Sequence, residues 1–175
     1  MSAQEENIID FKSTLKKEEG PTFSNGFYNW TMFLIDFYSR VRNTLKIDFD
    51  SFMIMQLVVS DYLYNTNKDS IKHFKELKTI FKNHTELLKE RKLNIASISD
   101  VLNLPRETVR RKIINLDKKK LLDYSKSGIG IGPEYKTVFN EFVSDTINNM
   151  SQLVKRWESN GSLKELLKLN INKKL

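Results

Sequence analysis

For most of the chain the apolar residues fall at helical spacings. From Phe27 the pattern turns helical: Trp30, Phe33, Phe37 and Val41 recur at i, i+3, i+7 and i+11, which predicts a long first helix to about Leu45 with an aromatic stripe. Asp48 and Asp50 then precede SFMIMQLVVSDYLY, a segment apolar nearly all round and therefore expected to be buried on several sides. It ends at the turn-rich Asn65, Thr66, Asn67 and Lys68. Residues 70–91 carry a third helical pattern, with Ile71, Phe74, Leu77, Phe81 and Leu88 inward and lysines outward. KLNI follows, with the length of a short strand.

Ser97 and Asp100 form S-x-x-D, a capping-box-like start for the next helix, whose apolar face is Ile98, Val101 and Leu102. Asn103 breaks it where a left-handed residue is wanted. Pro105 suits the first turn of a further helix, 105–119, because the N–H it lacks would have no intrahelical partner there. At about 100° per residue, Val109, Ile113 and Leu116 share one narrow stripe and must face the core. Glu107 and Arg111 lie almost opposite, with Arg110 on one shoulder, Asn115 on the other and Ile114 outward between them. LLDYSKSGIGIG reads as two short strands around Ser127–Gly128. Gly132 and Pro133 lead into a long final helix, Glu134 to about Asn160, and Gly161 separates it from the short helix SLKELLKL.

Composition agrees with this helical reading and removes several chemistries. A chain of 175 residues with 39% hydrophobic content, six Gly and three Pro fits one mainly helical globular domain with extensions. Zero Cys excludes disulfides, thiolate chemistry and cysteine-based zinc modules. His73 and His84 stand three helical turns apart with no third ligand, so neither a metal nor another cofactor is expected. Gly128, Gly130 and Gly132 form G-x-G-x-G without a strand–turn–helix context, which favours a hairpin over a phosphate loop. No Ser/His/Asp grouping or carboxylate pair stands out, so an enzyme is not expected. The most apolar stretch, Phe52 to Tyr64, is interrupted by Gln56, Ser60 and Asp61 and falls short of the ~20 residues that span a bilayer. With no secretory pattern at the N-terminus, a soluble cytoplasmic protein is expected.

Charge is where the chain departs most from a bland helical domain. The net charge is +7, and residues 101–132 hold eight basic against three acidic groups, so most of the excess sits on this one stretch. Three of the seven arginines fall at 106, 110 and 111, in a chain that otherwise uses lysine. A concentrated basic surface attracts polyanions, and phosphate neutralisation supplies the sequence-independent part of nucleic-acid affinity.

The order helix, short strand, helix, three-residue turn, helix, hairpin resembles the winged helix-turn-helix, and residues 95–122 are similar to the DNA-binding elements of MarR-type and Crp-type regulators. The small Ser99 within the first motif helix, Leu102 before the turn, Asn103 in it, Leu104 after it and the β-branched Val109 carry the resemblance. INLDKKKLL is similar to the end of MarR-type recognition helices and PRETVRR to the Crp-type segment. The resemblance implies double-stranded DNA as partner, with 105–119 in the major groove and the wing, 122–131, on the backbone. It makes Arg106, Glu107 and Arg111 base-reading candidates, with Arg110 and Asn115 on the same face and Tyr124, Ser125 and Lys126 as phosphate contacts. Lys112 stands at a position that is apolar in those families, and Lys120 replaces their usual glycine.

The expected organisation is a flexible arm (1–21), an N-terminal helix (22–47), a winged helix-turn-helix (48–132) with an inserted helix at 70–91, and C-terminal helices (133–175). The first and last helices carry strong apolar stripes, and since flanking helices form the two-fold interface of MarR-type proteins the resemblance implies a homodimer; the inserted helix is placed to shape an effector pocket. The fold class is thus mainly α with a small β wing and helical extensions at both ends, and the expected function is a homodimeric, sequence-specific transcriptional regulator. Two other functions fit the same pattern: a winged-helix protein–protein interaction module, and a DNA-architectural protein that binds without regulating.

Overall fold

The computed structural model describes residues 23–69, 73–82 and 93–168. Among these the chain is mainly helical, with one two-stranded antiparallel sheet. In chain order the elements are α1 (Phe23–Thr44), α2 (Phe49–Asp69), α3 (Phe74–Lys82), α4 (Ile95–Leu102), α5 (Arg106–Lys118), β1 (Leu122–Ser125), β2 (Gly128–Ile131), α6 (Tyr135–Val138), a π-helical segment Phe139–Val143, α7 (Ser144–Ser159) and α8 (Ser162–Lys168). The chain divides into two compact units, Met32–Ser151 and a second made of the described residues before and after it.

The larger unit is built on α2. Asp48 caps it by accepting the Ser51 amide at 2.8 Å, and its apolar girdle buries Phe52, Ile54, Met55, Val58 and Val59. Against α2 pack Ile98 of α4, the stripe of α5, Leu122, Ile129 and Ile131 of the hairpin, and Phe142 beyond it. The helix does not stop at Asn65 as its turn-forming residues suggest. Asn65 Nδ2 and Thr66 Oγ1 donate to the carbonyls of Asp61 and Tyr62 four residues earlier, at 3.0 and 2.9 Å, and the helix runs on to Asp69. In α3, Phe81 is buried and stacks on Phe139 at 4.4 Å. Phe74 also stacks on Phe139, at 5.9 Å, while remaining partly exposed. Ile71, His84, Leu88 and the arm 1–21 lie outside the described residues.

α4 begins earlier than the Ser97–Asp100 pattern predicts. Asn94 is its cap, accepting the Ser97 amide at 3.0 Å, so Ser97 sits in the first turn. Of KLNI, Asn94 and Ile95 go to the cap and first turn of α4, and among the described residues Leu93 forms an isolated bridge to Ile129, whose amide donates to the Leu93 carbonyl at 3.0 Å. The helix ends as expected at Asn103, with φ of 51°. Ser99 locks the turn from both sides: its carbonyl accepts the Leu104 amide at 3.2 Å, and its buried hydroxyl donates to the Leu104 carbonyl at 2.6 Å.

α5 is one residue shorter at each end than 105–119. Pro105 stands at its N-cap with φ −56° and ψ 135°, supplying no side-chain cap. Its C-terminus closes as a Schellman motif, Leu121 N–H to Leu116 O at 3.0 Å and Lys120 N–H to Asp117 O at 2.8 Å. This puts Lys120 at φ 56°, a conformation that favours glycine. The hairpin pairs Leu122 with Ile131 and Ser125 with Gly128 across a two-residue turn, Lys126–Ser127. Gly132 seals its base, because a Cβ there would overlap the Lys120 carbonyl oxygen and lie 2.7 Å from that of Leu122.

The final long helix is interrupted. Residues 139–143 take π geometry, and Ser144 Oγ donates to the Phe139 carbonyl at 3.2 Å. The wider turn keeps Phe139 and Phe142 in the core. In the smaller unit Trp157 Nε1 donates to the Gly26 carbonyl at 2.9 Å and its ring lies 6.2 Å from that of Trp30. Gly26 is required there, since a Cβ would come within 2.6 Å of the Ser162 Cβ.

Candidate functional site

The site is the outward face of α5, and its geometry follows from its inward one. Val109, Ile113 and Leu116 have no exposed surface at all, which fixes the helix rotation about its axis. With those three inward, Arg106, Glu107, Arg110, Arg111, Asn115 and Lys118 are all exposed. Ile114 is half-buried between them.

Within that face the charged groups differ in what they already hold. Arg110 grips Glu107 with both ends of its guanidinium, Nε to Oε2 at 2.9 Å and Nη2 to Oε1 at 3.1 Å. The hydrogen bonds from Arg110 hold the Glu107 carboxyl below its ordinary value, and the charge of Arg111 adds to the effect. The same pair raises the Arg110 guanidinium. Arg106, Arg111 and Lys118 form no ion pair among the described residues. Two cations with uncommitted donors, Arg111 and Lys118, therefore share the face with a carboxylate whose direction is set by a neighbour, and Arg106 stands at its hairpin-side edge.

The shoulders of α5 are spent on the protein itself. Asp117 Oδ1 accepts the Tyr124 amide at 3.0 Å, tying β1 to the helix. Tyr124 and Ser125 then project from β1 as exposed side chains, and Lys126 sits exposed in the turn. Ser125 and Ser127 hydroxyls bond across that turn at 2.7 Å. On the other shoulder Lys112 lays its stem along the core and carries its ammonium out to Asp48 at 2.7 Å and Asp50 at 3.3 Å. This explains how a lysine is accommodated beside the core stripe at a position where the resembled families carry an apolar side chain. Burial would depress the Lys112 ammonium, but the hydrogen bonds to Asp48 and Asp50 outweigh it and raise the pKa. Lys119 Nζ donates to the Lys46 carbonyl at 2.7 Å.

The structure thus leaves the helix residues 106, 107, 110, 111 and 115 all exposed along α5, with 107 and 111 most nearly opposite the core stripe. Asp117 and the Lys112–Asp48–Asp50 group were not legible as site-building residues, because their partners lie far along the chain or on a backbone amide. Lys118 carries a signal that was available: at nine residues from Val109 it falls directly opposite the core stripe. Among the described residues no three His, Asp or Glu side chains are placed to hold a metal, and no helix is long and apolar enough to cross a membrane. Comparison with family models, with curated proteins and with solved structures gives no match.

Proposed function

We propose that this chain is a sequence-specific, double-stranded-DNA-binding transcriptional regulator of winged helix-turn-helix type, acting as a homodimer, with α5 as recognition helix and the β1–β2 hairpin as wing. The observation that carries this reading is the coincidence on α5 of a fully buried Val109–Ile113–Leu116 stripe with an opposite face whose Arg111 and Lys118 are committed to no internal ion pair among the described residues. A left-handed turn at Asn103 and a hairpin tied to α5 through Asp117 flank that face, which supports the motif.

In this reading Arg111 is the side chain best placed for bidentate contact to guanine O6 and N7, and Glu107, aimed by Arg110, accepts from cytosine N4. Asn115 suits adenine, while Arg106 and the wing residues Tyr124, Ser125 and Lys126 take phosphates. Two such helices in a two-fold dimer would read half-sites about 34 Å apart. Gel-shift titration against random duplex tests the reading: binding that weakens steeply with added salt supports it, and no binding at low salt rejects it. Light scattering tests the dimer separately.

A further inference from the structure

We infer that Arg42 and Lys46 form a second phosphate-binding flank for duplex DNA, on the side of α5 opposite the hairpin; this rests on α5 being a DNA-contacting helix. The two sides are distinguished by helical phase and by contacts. Counting about 100° per residue from Val109, Arg110 and Asp117 fall to one side of the core stripe and Lys112 and Lys119 to the other. Asp117 holds the hairpin strand. Lys112 and Lys119 reach instead to Asp48 and to the Lys46 carbonyl, so the connection from α1 to α2 runs along the far flank.

That connection is exposed and basic. Lys46 stands at φ 51° and is exposed, and Arg42 lies one turn earlier in the last turn of α1. Both line an open depression of about 880 Å³ together with Tyr38, Val41, Ile47, Asp48 and Phe49. The acidic groups nearby do not cancel the patch. Asp48 and Asp50 share the Lys112 ammonium, and Asp48 also accepts the Ser51 amide. Lys119 is spent on the Lys46 carbonyl and borders a second depression with Glu134 and Glu141, whereas Arg42 and Lys46 form no ion pair among the described residues and keep their charges for an outside anion. A helix seated in a major groove about 12 Å wide has a phosphate backbone on each side. Lys126 in the hairpin turn suits one backbone, and Arg42 with Lys46 suits the other.

The test uses the full chain and a duplex that the wild type binds, with affinity followed by anisotropy across a salt series. The double variant Arg42→Gln, Lys46→Asn removes both charges, and asparagine tolerates the left-handed backbone at 46. Each lost phosphate contact makes the slope of log K against log salt shallower by about 0.9, so a change of about 1.8 with unaltered sequence preference is expected. Lys126→Gln is expected to take a further ~0.9 independently. A double variant that keeps the wild-type affinity and slope overturns the second flank while leaving the α5 reading intact. A wild type that binds no duplex removes both. Should circular dichroism show the double variant unfolded, hydroxyl-radical footprinting of the wild type decides: protection of both backbones bordering the contacted groove supports the flank, and protection on the hairpin side alone overturns it.

Discussion

The two shoulders of α5 solve the same problem with different chemistry. Toward the hairpin, the anion Asp117 accepts a backbone amide from Tyr124. Toward the α1–α2 connection, the cations Lys112 and Lys119 reach carboxylates and a backbone carbonyl. Each side thus uses the charge sign that suits the group it meets, an amide on one and carboxylates and a carbonyl on the other, and α5 is braced against an element on either side of it. The residues pointing straight out are left out of this bracing. A helix whose shoulder charges serve the fold and whose central cations serve nothing internal is suited to a rigid contact with an external polyanion.

The largest way to break the comparison is at the base of the hairpin. Gly132→Ala drives a methyl group into the Lys120 and Leu122 carbonyls, and an overpacked, backbone-lined site cannot yield. Urea unfolding is expected to show a loss of about 3 kcal/mol, and the shoulder held by Asp117 should lose amide protection first. Asp117→Ala removes only the tie itself. Its expected cost is about 1 kcal/mol, with faster hydrogen exchange at Tyr124 and unchanged exchange in α2.

The opposite shoulder should respond to pH in a way the hairpin shoulder does not. Burial pushes the Asp48 carboxyl up, but hydrogen bonds from Lys112 and the Ser51 amide lower it below its ordinary 3.8. A depressed carboxyl contributes stability above its unfolded value, and that contribution disappears as pH falls through the lower folded value. Lys112 is raised above 10.5, so its contribution holds below that value and fades as pH rises through the higher folded one. Both shifts favour the ion pair across the range between. Lys112→Met should flatten the acid and alkaline limbs of the stability profile. Because Asp48 is largely exposed, the change at neutral pH should stay under about 1 kcal/mol. The smallest effect expected is a gain: Lys120→Gly relieves the left-handed backbone and should stabilise by about 0.5–1 kcal/mol in thermal unfolding.

How much of this was readable beforehand follows from the range of each interaction. The α5 stripe was legible because helical phase is local, and Val109, Ile113 and Leu116 are all fully buried. Asn103 was legible as a left-handed position because turn chemistry is also local, whereas Lys120, φ 56°, was marked only by standing where the resembled families have glycine; the hairpin spans 122–131 as its glycines and β-formers suggest. Three features were not. The cap of α4 falls on Asn94 because two good capping residues stand three apart and only the Leu93–Ile129 bridge decides between them. The π segment hides in an amphipathic stretch, Tyr135 to Val143, that reads equally well as an unbroken helix until Phe139 and Phe142 must both meet the core. The partner of Lys112 lies 64 residues away in sequence, and no local pattern marks it.

The most direct test of the central claim is selection of bound duplexes from a random pool by the wild type and by Arg111→Ala in parallel. Arg111 is exposed and unpaired, so the variant should unfold within about 0.5 kcal/mol of the wild type. The account predicts a palindromic site for the wild type, and in the variant a loss of about 1–3 kcal/mol of discrimination at one position of each half-site. Recovery of no preferred site by the wild type, or of the same preference at every position by the variant, would contradict it.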